Sequence, residues 1–229
     1  MSSREQILNK LHKARKPFPD APPRPQQYRA VTTVADSSAE GLLERFTTEF
    51  KSLLGEPFVV EDDEEACDKV LELLKSHNAT DILAWDFKHI PVKGLEEAIK
   101  SNRIAIHQPE MHDEFRSETL ETVRDAQAGV TGVDVAIAAT GTLVVSTGPG
   151  RGRIPTVLAP VHIAVVELAQ IVPRLEDWVA RQRANGLENL LNQANVCFIS
   201  GPSRTADIEM EPIMGVHGPG KVQVVIKKK

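Results

Sequence analysis

Apolar residues recur at helical spacing at Ile7, Leu8, Leu11 and Ala14, which predicts an amphipathic helix over residues 2–15 with Ser3 and Gln6 as its capping box. Five prolines between Pro17 and Pro25 follow and predict an extended spacer. So short a helix is marginal alone, so its apolar stripe needs a partner surface on its own domain or on another subunit. A second stripe, Leu42, Leu43, Phe46, Phe50, Leu53 and Leu54, opens at a Ser37/Glu40 box and closes at Gly55. Strand and helix then alternate: Phe58–Val60, a helix capped by Asp62 with Ala66, Val70, Leu71 and Leu74 inside, Asp81–Trp85, a helix over 94–101, and Arg103–Ile106. This alternation with short links predicts an α/β fold with a largely parallel sheet.

Farther on, GVDVAIAATGTLVVST (132–147) predicts two apolar strands around a tight link at Ala139-Thr140-Gly141, which makes the sheet mixed. A strand within 156–167, a helix opened by Pro173 and running through Trp178, its continuation over 187–193 after Gly186, and strands Val196–Ile199 and Val222–Ile226 complete the pattern. The expected organisation is an arm and spacer over 1–36 and one α/β domain over 37–229.

Composition narrows the partners. The chain of 229 residues carries a net charge of −5 and no Lys/Arg stripe, which argues against nucleic acid. Its start, MSSREQILNK, is polar where a secretory leader is apolar, and no run of about 18 apolar residues exists, so the expected compartment is the cytoplasm, with no membrane span. Cys67 falls on a predicted helix and Cys197 on a predicted strand, and both read as small core residues. Two cysteines fall short of the four thiolates a cluster usually takes, and no flavin or dinucleotide motif is visible, so no cofactor is expected.

Two glycine-rich stretches imitate phosphate loops. Gly215 to Val222 matches the spacing of a P-loop but ends on Val222 and leads into a strand. Gly148-Pro149-Gly150-Arg151-Gly152 lacks the following helix of a dinucleotide fingerprint and reads as a flexible loop. His107 and His112 do not form an HExxH pair, and no metal site is expected. Three polar clusters remain: Thr140, Gly141 and Thr142 at the strand turn; Arg151, Arg153 and His162; and SGPSRTADIE (200–209) with His217, which supplies Ser203, Arg204, Thr205, Asp207 and Glu209. Singly, each is explained by turns, caps and surface charge. Together they lie near strand ends, where open α/β sheets gather ligands, and hydroxyls with arginines suit a small anion.

The stretches VTGVDVAIAATGTLVV, APVHIAVV and SGPSRTADIEMEPIMGVHGPGKVQVVI, spread over residues 37–229, resemble the LUD-domain family, and within it the lactate-utilisation protein C group. The resemblance implies a three-layer α/β/α fold like that of glucosamine-phosphate isomerases, ribose-phosphate isomerases and CoA transferases. It also implies a role in oxidising L-lactate to pyruvate beside two iron–sulfur partner proteins. At Ala139 the chain departs from the family, which often carries Glu there, so no carboxylate role transfers. The expected function is thus a non-redox subunit of lactate utilisation that binds a small anionic ligand, docks with iron–sulfur proteins and self-associates through its arm. The alternative is a free-standing transferase or isomerase acting on a CoA ester or sugar phosphate, and whether the chain is itself an enzyme stays open.

Overall fold

A computed structural model describes residues 3–14, 33–109, 116–206 and 212–229. The chain divides into two compact units, Met1–Val31 and Thr32–Lys229. In the first, helix α1 (Ser3–Ala14) leaves Ile7, Leu8 and Leu11 exposed. The second begins with α2 (Ala39–Ser52), whose cap is Ser38 rather than Ser37: the Ser38 hydroxyl accepts from the Gly41 amide at 3.1 Å, and Asp36 in turn accepts from the Ser38 amide. Leu42, Phe46 and Phe50 bury its inner stripe.

Strand β1 (Glu56–Val60) leads to α3 (Asp63–Ser76), where Asp62 accepts from the amides of Glu64 and Glu65 as the sequence predicts. Then come β2 (Asp81–Ala84), α4 (Leu95–Ser101), β3 (Ala105–His107), α5 (Arg116–Val123) and β4 (Ala128–Thr131). After β5 (Val135–Ile137) and β6 (Thr142–Ser146) come α6 (Ile154–Val157), β7 (Val161–Glu167), β8 (Ile171–Val172), α7 (Leu175–Ala184), α8 (Glu188–Leu191), β9 (Val196–Ile199), β10 (Arg204–Ala206), β11 (Pro212–Met214) and β12 (Lys221–Lys227).

The parallel core sheet has six strands in the order β1-β12-β7-β4-β2-β3. The TGT hairpin does not mix into it. Strands β5 and β6 pair antiparallel within a separate four-stranded sheet, β8-β5-β6-β9, and β10-β11 form a ribbon of their own. Alternation explains where the second sheet sits: Ala136, Leu143 and Val145 enter the main core, while Val135, Ile137 and Val144 pack with Trp178 of α7. Helices cover the parallel sheet, which gives the α/β/α class.

Strand order also locates a topological switch point. From β2 the chain continues to β3 on one side, and from β4 it continues to β7 on the other. The direction of winding therefore reverses between β2 and β4. The carboxyl ends of such strands are where ligands of open α/β sheets bind.

Candidate functional site

Trp85 and Asp86 stand directly after β2, and Asp134 follows β4 by three residues. The glycine-rich stretch that reads as a flexible loop is fixed to them. Gly148 and Arg151 exchange backbone hydrogen bonds at 3.1 and 2.9 Å, with Pro149 second and Gly150 (φ 70°) third in the turn. Those are the residues a type II turn demands, because its third position needs φ > 0. The Trp85 indole donates to the Gly152 carbonyl at 2.9 Å, the Asp86 amide donates to Gly150 O at 2.9 Å, and His89 Nε2 lies 3.2 Å from Pro149 O. Gln108 holds the Trp85 carbonyl from the other side at 2.9 Å. The loop is thus an ordered cover on the switch point.

Arg151 is held beside this switch point. Its Nη1 donates to Asp134 Oδ1 at 2.8 Å, while Asp134 Oδ2 accepts from the Ser146 amide at 2.6 Å. The guanidinium carbon lies 5.9 Å from the centre of the Trp85 ring, within cation–π range. Both partners of the pair are mostly covered, at 20% and 22% exposed. Arg151 Nε is buried and makes no hydrogen bond. Asp86 holds its charge more readily than an ordinary carboxylate, because the ammonium and then the amide of Lys88 hydrogen-bond to it. A planar fork with an unspent donor edge beside an aromatic ring can take a small carboxylate.

The other expected site residues divide into separate groups. Arg153 lies on the cover and is exposed, and its carbonyl caps α6 by accepting from the Thr156 amide and hydroxyl at 3.0 and 2.8 Å. His162 is wholly buried in β7, with Nε2 2.8 Å from the Thr131 hydroxyl and Nδ1 unpartnered. Burial pushes its pKa down to about 4, so the ring is neutral at pH 7.

At the opposite end of β6, roughly 13 Å away by strand rise, Thr140, Thr142 and Ser200 bond through their hydroxyls at 2.8 Å each. Gly141 and Gly201 allow this joint: a Cβ at Gly141 would meet the Phe50 amide nitrogen at 2.5 Å, and one at Gly201 would meet Leu53 O at 2.2 Å. The carboxyl end of α2 therefore sits against both turns. That end carries partial negative charge, which does not favour an anion. Ser203 binds the Gly215 amide through its carbonyl and lies 3.4 Å from the His217 amide through its hydroxyl. Arg204 and His217 are exposed, and Thr205 is half-buried on the ribbon. Asp207 and Glu209 lie outside the described residues. The TGT group and the Arg151 group therefore cannot both touch one small ligand.

Sequence reasoning passed over Trp85, Asp86 and Asp134 as site residues. Two signals pointed to them: an aromatic and an acid immediately after an apolar strand, and a lone acid inside GVDVAIA. Among the described residues no group of three or more His, Cys, Asp or Glu is placed to hold a metal ion.

A wholly parallel central sheet with helical layers defines a three-layer α/β/α protein. The model of the LUD domain matches residues 43–226, and the chain belongs to the LUD-domain family. It is similar to lactate utilization protein C of Halalkalibacterium halodurans, 34% identical over 157 residues, 68% of this chain and 65% of the relative. It is likewise similar to lactate utilization protein C of Macrococcus caseolyticus, 30% identical over 68% of this chain and 64% of the relative. The matched stretch thus spans slightly less than two thirds of each relative's length. A crystal structure of a duf162 family protein from Deinococcus radiodurans covers 84% of this chain and 99% of its own at a TM-score of 0.58 and 20% identity, a likeness of fold.

Proposed function

We propose that this chain is a non-redox subunit of an L-lactate utilisation system, serving the oxidation of lactate to pyruvate. It binds a small carboxylate at the switch point and docks with iron–sulfur proteins that carry the electrons. The observation behind the role is the likeness to proteins named lactate utilization protein C. What supports the ligand is Arg151, held against Trp85 and Asp134 with a buried donor still free. The division of labour rests on ligand supply. Oxidation at carbon releases two electrons, and Cys67 on α3 and Cys197 on β9 are too few to hold a cluster of the usual four-thiolate type.

A strain lacking this chain is expected to lose growth on L-lactate while keeping growth on pyruvate. A tagged copy that restores growth should co-purify with iron–sulfur proteins. Undiminished growth of the deletion strain on L-lactate overturns the role, and restored growth without co-purification overturns the docking.

A further inference from the structure

Strand β9 closes one edge of the four-stranded sheet, with β6 on one side and, among the described residues, no strand on the other. The other described sheet edges are guarded in ordinary ways: β1 by Glu56 and Pro57, the ribbon by Arg204 and Pro212, and β3 and β8 by lengths of three and two residues. Val196-Cys197-Phe198-Ile199 has neither charge nor proline. Every residue from Asn189 to Ser203 is uncharged, in a chain where 26% of residues are charged. Phe198 is half exposed although its ring packs edge-on against Trp178, and Leu191, shortly before the strand, is largely exposed. The partner strand fixes which backbone groups are free. The Thr147 amide donates to Asn195 O at 2.9 Å, so the 147/195 pair, and with it the 145/197 pair, are those that exchange hydrogen bonds. Cys197 therefore spends its amide and carbonyl on β6, while those of Val196 and Phe198 point out at the open edge.

From this we infer that the β9 edge pairs with β9 of a second copy of this chain, antiparallel about a two-fold axis at Cys197. The hydrogen-bond pattern is self-complementary. Val196 and the partner's Phe198 exchange two hydrogen bonds, the symmetry-related pair exchanges two more, and Cys197 faces its own symmetry mate at the centre. A two-fold contact sets a surface against itself, so any charge in it meets like charge. Each copy carries a net charge of −5, and the uncharged stretch over 189–203 is where two such chains can approach without that cost. A charged partner segment finds no counter-charge there. The side chains agree with the backbone. Val196 and Phe198 lie on the face that packs with Trp178, so pairing sets the partner's Val196 beside Phe198 and joins two outer apolar clusters into one. The two four-stranded sheets become one continuous sheet.

Sedimentation velocity on the full chain is expected to show a dimer that dissociates on dilution. Phe198→Lys puts an ammonium into the pairing while leaving the β6 ladder intact, and it should weaken dimerisation at least about 10-fold with a cooperative thermal transition kept. A zero-length cross-link reads the register. At a non-hydrogen-bonded position the two Cys197 Cα atoms stand about 4.5 Å apart, within disulfide range. Diamide, which takes up the two thiol hydrogens as the disulfide forms, should join the chains in wild type and in Cys67→Ser but not in Cys197→Ser. A monomer at every concentration, a dimer as tight in Phe198→Lys as in wild type, or a dimer in which Cys197 does not cross-link overturns the pairing. Association through another surface, such as the amphipathic helix, gives the second or third of these results. If Phe198→Lys unfolds, the Cys197 cross-link in wild type decides alone.

Discussion

His162 gives the fold a pH dependence of definite sign. The ring is fully buried, and burial depresses its pKa from the ordinary 6.5 to about 4. In the unfolded chain it titrates near the ordinary value. Between those limits the unfolded state binds a proton that the native state does not, so stability falls as pH falls. Above 6.5 both states are neutral and the contribution is complete. Going from pH 7 to pH 4.5 therefore removes roughly 2.5 kcal/mol, since a full pH unit inside the interval is worth about 1.4 kcal/mol. For a chain of this size that lowers the melting temperature by about 5–10 °C. Asp63, Asp81 and Asp177 also have lowered pKa values, through hydrogen bonds from Lys227, His107 and Arg174 respectively. Their stabilisation is lost only as pH falls from their ordinary 3.8 toward still lower values, below the window used here. Urea unfolding at intervals from pH 7 to 4.5, on wild type and on His162→Gln, isolates the imidazole. The glutamine amide still meets the Thr131 hydroxyl but does not titrate. The variant should lose its dependence across this window while wild type keeps it. Parallel profiles for the two proteins would falsify the assignment of the acid loss to His162.

Gly129→Ala puts a methyl 1.8 Å from the Pro155 carbonyl, so main chain must move; stability should fall by at least about 1–3 kcal/mol, read as an earlier urea midpoint. Gly152→Ala, whose nearest contact is 3.4 Å away, is the control and should unfold with wild type. Removal of residues 1–31 should leave a single cooperative thermal transition, because Thr32–Lys229 is a compact unit of its own; a broad or absent transition would make the helix part of the core. Arg204→Ala should keep the melting temperature within about 1–2 °C of wild type, as an exposed side chain does, and a large drop would make Arg204 a structural clamp.

Most helices and most strands were legible because each carries its own period, whereas α5 and α6 were not expected. Asp62 marks its cap, Leu42, Phe46 and Phe50 mark a stripe, and Val161–Glu167 and Lys221–Lys227 are apolar runs buried on both faces. The central strand β4 was hidden, because Ala128-Gly129-Val130-Thr131 before Gly132 has the composition of a loop. Its glycine answers a tertiary demand: Pro155 O crosses where a side chain would stand. The ribbon of β10 and β11 was missed for the opposite reason, since Ser-Gly-Pro-Ser-Arg carries turn signals that outweigh a three-residue strand. Arg151, Arg153 and His162 were singled out together from the sequence, yet each serves a different neighbour: Asp134, the first turn of α6 and Thr131 respectively. Which arginine stands at the switch point depends on strand order, and strand order joins Asp86, Asp134 and Arg151 across 65 residues of chain without any local signal. Sequence spacing likewise cannot show that Thr142 and Ser146, four residues apart, face two different neighbourhoods.

The switch point has a built-in reporter. The chain has two tryptophans, and Trp85 lies under the Arg151 guanidinium. A Trp178→Phe protein therefore reports Trp85 alone. Titrating L-lactate into it should give a saturable change in fluorescence. Adding Arg151→Lys, which keeps a charge for Asp134 but removes the planar fork, should weaken that saturation at least 10-fold without loss of the folded state. Saturation at the same lactate concentration in both proteins, or none in the protein that retains Arg151, would contradict carboxylate binding at the switch point.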